Sequence, residues 1–90
     1  MGMTVSLTGT MTCAPGEIDI VRGALPQHMA LSRAEPGCLH FDVTETAPGV
    51  FEVSEAFTDM AAFEAHQTRT RASEWWHLTG HMPRDFMVHR

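Results

Sequence analysis

An α+β domain built on a four-stranded antiparallel sheet is the fold class this sequence predicts, on three observations. Segments near 3–13, 38–44 and 50–57 alternate apolar and polar side chains with the two-residue period of half-buried strands. Two other stretches carry apolar residues at helical spacings of three and four, and Gly and Pro punctuate the junctions. The resulting order is strand, helix, two strands, helices, strand, a split βαβ arrangement.

In the first strand, Val5, Leu7, Gly9, Met11 and Cys13 share one face, with Thr4, Ser6, Thr8, Thr10 and Thr12 on the other. Ala14-Pro15-Gly16-Glu17 then begins a helix. Pro suits the first turn, where its missing N–H costs no bond, and Glu17 meets the positive end of the helix dipole. Ile18, Val21, Leu25 and Met29 form the inner stripe, and Pro26 predicts a kink before the helix ends near Ala34. Glu35-Pro36-Gly37 is a turn. Leu39, Phe41 and Val43 mark the inner face of the second strand, and Ala47-Pro48-Gly49-Val50 fits a type II turn. Phe51, Val53 and Phe57 mark the inner face of the third strand, with Glu55 unexpectedly in the same phase. Asp59 caps a helix whose inner stripe is Ala62, Phe63 and His66. A second helical stretch, roughly 70–79, holds Trp75, Trp76 and Leu78 and stops near Gly80, leaving a final strand at 85–89. This is the order of ferredoxin-like domains, in which the first and second strands run parallel with the third between them. Cys13 and Cys38 then fall at opposite edges of the sheet, beyond the ~7 Å reach of a disulfide.

Ninety residues make one domain, 1–90, and a chain this short buries only about two thirds of its unfolded surface. Pairing with a second copy would add apolar burial, so a homodimer is expected. The net charge of −5, the absence of Lys and the scattered Arg argue against a nucleic-acid partner. No stretch approaches the roughly 20 apolar residues that span a bilayer, and residues 1–20 do not read as a secretory signal. A soluble, cytoplasmic protein with reduced thiols is expected. Met1-Gly2-Met3-Thr4-Val5-Ser6 fits the loose N-myristoylation pattern, but the segment reads as strand.

Three stretches together resemble the antibiotic biosynthesis monooxygenase family: Ala34-Glu35-Pro36-Gly37-Cys38-Leu39-His40-Phe41-Asp42-Val43, then Phe51-Glu52-Val53-Ser54-Glu55-Ala56-Phe57, then Ala61-Ala62-Phe63-Glu64-Ala65-His66. Ser73-Glu74-Trp75 follows in the same order. The resemblance implies a dimeric α+β barrel with a pocket between the sheet and helices of each monomer. It also implies oxidation of a quinol or polycyclic aromatic by dioxygen with no metal or flavin. A heme-degrading branch uses an Asn on the first strand, and this sequence has no Asn.

Oxygenation without a cofactor requires the substrate to supply the electrons, so the protein must furnish a base and an apolar pocket. His66 is the candidate base, since the stripe with Ala62 and Phe63 aims it toward the sheet. The plainer alternative is a histidine bonded to a backbone carbonyl at the pocket rim. Glu55 would be costly to bury unpaired, and is expected to orient His66, to bind a substrate hydroxyl, or to pair with Arg69, Arg71 or Arg84, within the monomer or across the dimer. Trp75 and Trp76 diverge by about 100° on a helix, and Trp75, on the side of Ala72 and Leu78, is placed inward with Phe63 as pocket wall or core. His77 and His81 have a metal-compatible spacing, but Gly80 interrupts the helix between them, so neither a metal nor any other cofactor is expected. The function expected is a monooxygenase acting on a small aromatic substrate and dioxygen. The alternatives are a non-catalytic dimeric binder of a small aromatic ligand or heme, and a structural dimer whose pocket its own side chains fill.

Overall fold

The computed structural model describes residues 3–90. Met1 and Gly2, and with them the acylation pattern, lie outside the described residues. The elements are β1 (Val5–Thr12), a short 3-10 turn (Pro15–Glu17), α1 (Ile18–Arg33), β2 (Cys38–Ala47), β3 (Val50–Phe57), α2 (Met60–Arg71), α3 (Glu74–Thr79) and β4 (Arg84–His89). The strands lie in the order β2-β3-β1-β4 with every neighbouring pair antiparallel, so β1 and β2 flank β3 as the ferredoxin-like reading requires. Both cysteines are free. Cys38 opens the edge strand β2, whereas Cys13 follows β1, an interior strand and not an edge.

The inward phase of the strands builds two apolar clusters. One gathers Met11, Val21, Phe51, Trp75 and Met82, and the other gathers Val5, Leu7, Phe57 and Phe63. Burying an aromatic side chain is worth about 1.5–3 kcal/mol, so these rings carry much of a core this thin. No helix among the described residues is long and apolar enough to cross a membrane.

Several local expectations change. Leu39 is 56% exposed, because a register shift between Cys38 and His40 makes it the extra residue of a β-bulge. In α1 the inner face runs from Val21 to His28 and Ser32, while Leu25 and Met29 are only partly buried. As expected, the helix runs on through Pro26 to Arg33; Pro26 lies on its exposed side, where water can satisfy the Arg22 carbonyl that loses its donor. The stretch 70–79 is not one helix: α2 runs on to Arg71, and the Ser73 hydroxyl starts α3 anew by accepting the Trp76 N–H at 3.3 Å. Ala72, expected beside Trp75, is exposed, and Thr79 is instead the buried companion of Trp75 on α3.

The Glu35-Pro36-Gly37 turn matters for the site. Gly37 has φ +85°, and a Cβ there would lie 2.7 Å from the Ala62 Cβ and 2.8 Å from the Thr58 hydroxyl. Its carbonyl also accepts the Thr58 N–H at 2.8 Å. The missing side chain therefore lets this turn close onto the β3–α2 junction and brings Glu35 up to α2.

Candidate active site

Glu55 sits on β3, between Leu7 of β1 and Phe41 of β2, and its strand phase points it at the helices. It is 4% exposed. Above it lies His66, 2% exposed on the inner face of α2, among the rings of Phe57, Phe41 and His28 at centroid distances of 4.9, 5.4 and 6.3 Å.

Two carboxylates bracket the imidazole. Nδ1 donates to Glu35 Oε1 at 2.6 Å, while Nε2 lies 3.6 Å from Glu55 Oε1 and 3.4 Å from the Thr70 hydroxyl. Glu35 is fixed in turn by Arg69, whose Nε donates to Oε2 at 3.1 Å and whose Nη2 reaches the Ser32 hydroxyl at 2.9 Å. An anionic acceptor at Nδ1 favours the tautomer with its proton there, leaving Nε2 as an acceptor that faces Glu55 and takes a long bond from the Thr70 hydroxyl. Glu35, which reads in sequence only as part of a turn, thus takes the orienting position that Glu55 was expected to hold. Within the chain the arginine pairing expected for Glu55 is not made: Arg69 pairs with Glu35, and neither Arg71 nor Arg84 has a carboxylate within 4.0 Å among the described residues.

Burial controls the protonation of this cluster. It pulls the His66 pKa below the ordinary value of 6.5, against the opposing pull of the Glu35 hydrogen bond, so the ring is a neutral base at neutral pH. Burial, helped by the Glu35 charge, pushes the Glu55 carboxyl up to about 7. His28 falls to about 3, chiefly from burial and then from the nearby His66, Arg69 and Arg84 charges.

The folded state keeps the Glu55 proton that the unfolded chain releases above about pH 4.5, so stability falls as pH rises from there through about 7. At 1.36 kcal/mol per pKa unit the loss reaches about 3 kcal/mol. Glu55→Gln is therefore expected to raise Tm relative to the native chain at pH 8 and to change it little at pH 5. Calorimetric scans showing the same Tm difference at both values would refute the buried, proton-holding carboxyl.

A cavity of about 200 Å³ opens between the sheet and the helices, lined by members of both apolar clusters together with His28, Glu55, His66, Trp75, Trp76, Arg71 and Arg84. Trp75 stacks on His28 with centroids 4.5 Å apart and planes within 4°. His28 is buried, yet its Nδ1 has no partner among the described residues. Of the residues singled out from sequence, His66, Glu55 and Trp75 come together at this cavity. Phe63 does not: it packs 5.8 Å from Phe57 in the neighbouring cluster. His28 was legible in principle, one stripe position beyond Leu25, but a histidine in an apolar stripe carries no sign that it lines a cavity. His40 bonds the Ser54 hydroxyl at 3.1 Å on the outer side of the sheet, and His81 bonds Glu17 while His77 is exposed.

Comparison with known proteins agrees with this architecture. No functionally curated protein matches the sequence. A candidate antibiotic biosynthesis monooxygenase from Nitrosomonas europaea superposes with TM-score 0.85 at 20% identity, covering 99% of this chain and 90% of its own. One from Bacteroides thetaiotaomicron does so at 0.83 and 18%, covering 97% and 88%. A second Nitrosomonas europaea protein, of unknown function, gives 0.80 and 21%, covering 96% and 86%. At these identities the likeness establishes the shared fold. The sequence model for "Antibiotic biosynthesis monooxygenase" matches residues 4–77, the span that supplies both the sheet core and the Glu35, Glu55, His66 cluster, and the chain therefore belongs to the antibiotic biosynthesis monooxygenase family.

Proposed function

We propose that the protein is a cofactor-independent monooxygenase of a small quinol or related hydroxylated aromatic. The observation that carries this reading is a neutral histidine with its Nδ1 held by a carboxylate and its Nε2 beside an apolar cavity. In the reaction, His66 Nε2 removes a hydroxyl proton, and the resulting phenolate is electron-rich enough to reduce dioxygen. One oxygen atom enters the ring and the other leaves as water, so that quinol and dioxygen yield a hydroxyquinone and water. The substrate supplies all four electrons, and no redox cofactor is required. Glu35 and Arg69 orient the base, Glu55 binds a substrate hydroxyl, and Trp75 forms part of the wall. The cavity is smaller than the roughly 300–1,000 Å³ of drug-sized sites, which favours one or two fused rings over a larger polycycle.

The test is oxygen uptake by the purified protein with a naphthoquinol, corrected for autoxidation. Binding without uptake would make the protein a binder of aromatic ligands instead. A cytoplasmic location suits this reading, since it would keep both free thiols reduced.

The same proposal includes a homodimer formed across the outer face of the sheet. Helices cover only the other face, and on the outer face β4 exposes Met87, paired with Thr8, at 64%. Sedimentation equilibrium is expected to return twice the chain mass at micromolar concentration, and a monomer there would reject the pairing.

A further inference from the structure

The cavity is lined by two cations that no carboxylate neutralises among the described residues. Arg22, Arg33 and Arg69 each pair with an acidic side chain, Glu45, Asp42 and Glu35 respectively. Arg71 and Arg84, which line the cavity, have no such partner among the described residues, although the chain carries eleven acidic residues and a net charge of −5. Arg84 is partly buried, and burial works against its charge, yet a guanidinium stays protonated in proteins. A partly buried cation with no counter-ion is a cost that a bound anion would remove.

The hydrogen bonds of Arg84 leave room for such an anion. Nη1 donates to the Thr79 carbonyl at 2.7 Å and to the Met82 carbonyl at 3.2 Å, and Nη2 donates to the Thr79 hydroxyl at 2.8 Å. These bonds use three of the five N–H donors of a guanidinium and tie the group to the end of α3. Its guanidinium carbon also lies 4.8 Å from the centre of the Trp76 ring, which fixes the group further. Nε and the second Nη2 proton remain free, on the edge of the fork that matches a carboxylate. Closing the end of α3 and the turn that follows it accounts for the three bonds made. It accounts neither for the two free donors nor for Arg71, which is exposed in the last turn of α2 at the same cavity.

We propose that the ligand of this cavity is a hydroxylated aromatic carboxylate, its carboxylate held by Arg84 with Arg71 and its hydroxyl turned toward Glu55 and His66. The orientation of the hydroxyl rests on the oxygenase reading, whereas the carboxylate subsite does not. Among the described residues Glu55 is the one acidic side chain lining the cavity, against two arginines.

Isothermal titration with 6-hydroxy-2-naphthoate and with its neutral amide tests the proposal. The acid is expected to bind the native protein about 10-fold or more tightly than the amide, as a charge-assisted bond implies. That preference should shrink in Arg84→Gln and in Arg71→Gln. Arg71 is exposed, so its variant keeps the test valid even if loss of the Arg84 bonds unfolds the chain. Equal affinity for acid and amide, no binding of the acid, or a preference that survives in every folded variant would overturn the proposal. Oxygen uptake is measured separately: a strong, arginine-dependent preference for the acid with no uptake supports the carboxylate subsite while rejecting the oxygenase reading.

Discussion

Replacing His66 with Ala is expected to lower oxygen uptake with an accepted quinol by roughly 100-fold or more, the loss typical when a positioned general base is removed. The geometry behind this is the ring's fixed attitude, with Nδ1 on Glu35 and the acceptor Nε2 turned toward Glu55 and the Thr70 hydroxyl. Because His66 is buried among three aromatic rings, the Ala variant also loses packing. His66→Gln, which keeps bulk and hydrogen bonding but not basicity, separates the two effects. Both variants should lose turnover, and Gln should retain more of the native Tm. In the native protein the acid limb of kcat/KM should fall below pH 6.5, since burial lowers the pKa of the ring. Turnover at the native level in folded His66→Gln would remove His66 from the role of base and leave it to Glu55 or to the substrate's own ionisation.

Gly9→Ala is expected to cost about 3 kcal/mol or more and to lower Tm by over roughly 10 °C, a large loss for so small an added group. Gly9 has φ +151° in the middle of β1, opposite Val53 on one side and Phe86 on the other. A Cβ there would lie 2.0 Å from the Asp85 carbonyl oxygen and 2.9 Å from the Phe86 Cα, both backbone atoms of β4 that no rotamer change can move aside. Relief requires β4 to withdraw. Because β4 carries Arg84 and Phe86 into the cavity lining, ligand affinity should fall together with stability. A Gly9→Ala protein with native Tm would show that β1 and β4 are not held this closely.

The strand phases of Phe51, Val53, Glu55 and Phe57, the Asp59 cap and the stripe leading to His66 are written in neighbouring residues, because period and capping are local properties of the chain. The sequence by itself therefore determined the element order, the α+β class, the family, and the inward direction of Glu55, His66 and Trp75. Where local signals compete, it was less reliable: the bulge that exposes Leu39 depends on pairing with β3, and the break at Ser73 depends on a hydroxyl reaching the Trp76 N–H. Only the tertiary structure decided which groups meet. Glu35 and His66 are separated by 31 positions, and their 2.6 Å bond exists because Gly37 lets a turn close against α2. His28 reaches Trp75, and Arg84 reaches the cavity, through the packing of α1, α3 and β4 around the sheet. Partner choice among charged groups depends on distances that folding sets, and spacing along the chain does not encode them. For that reason the base was legible in the sequence, while the carboxylate that orients it and the arginines left free beside it were not.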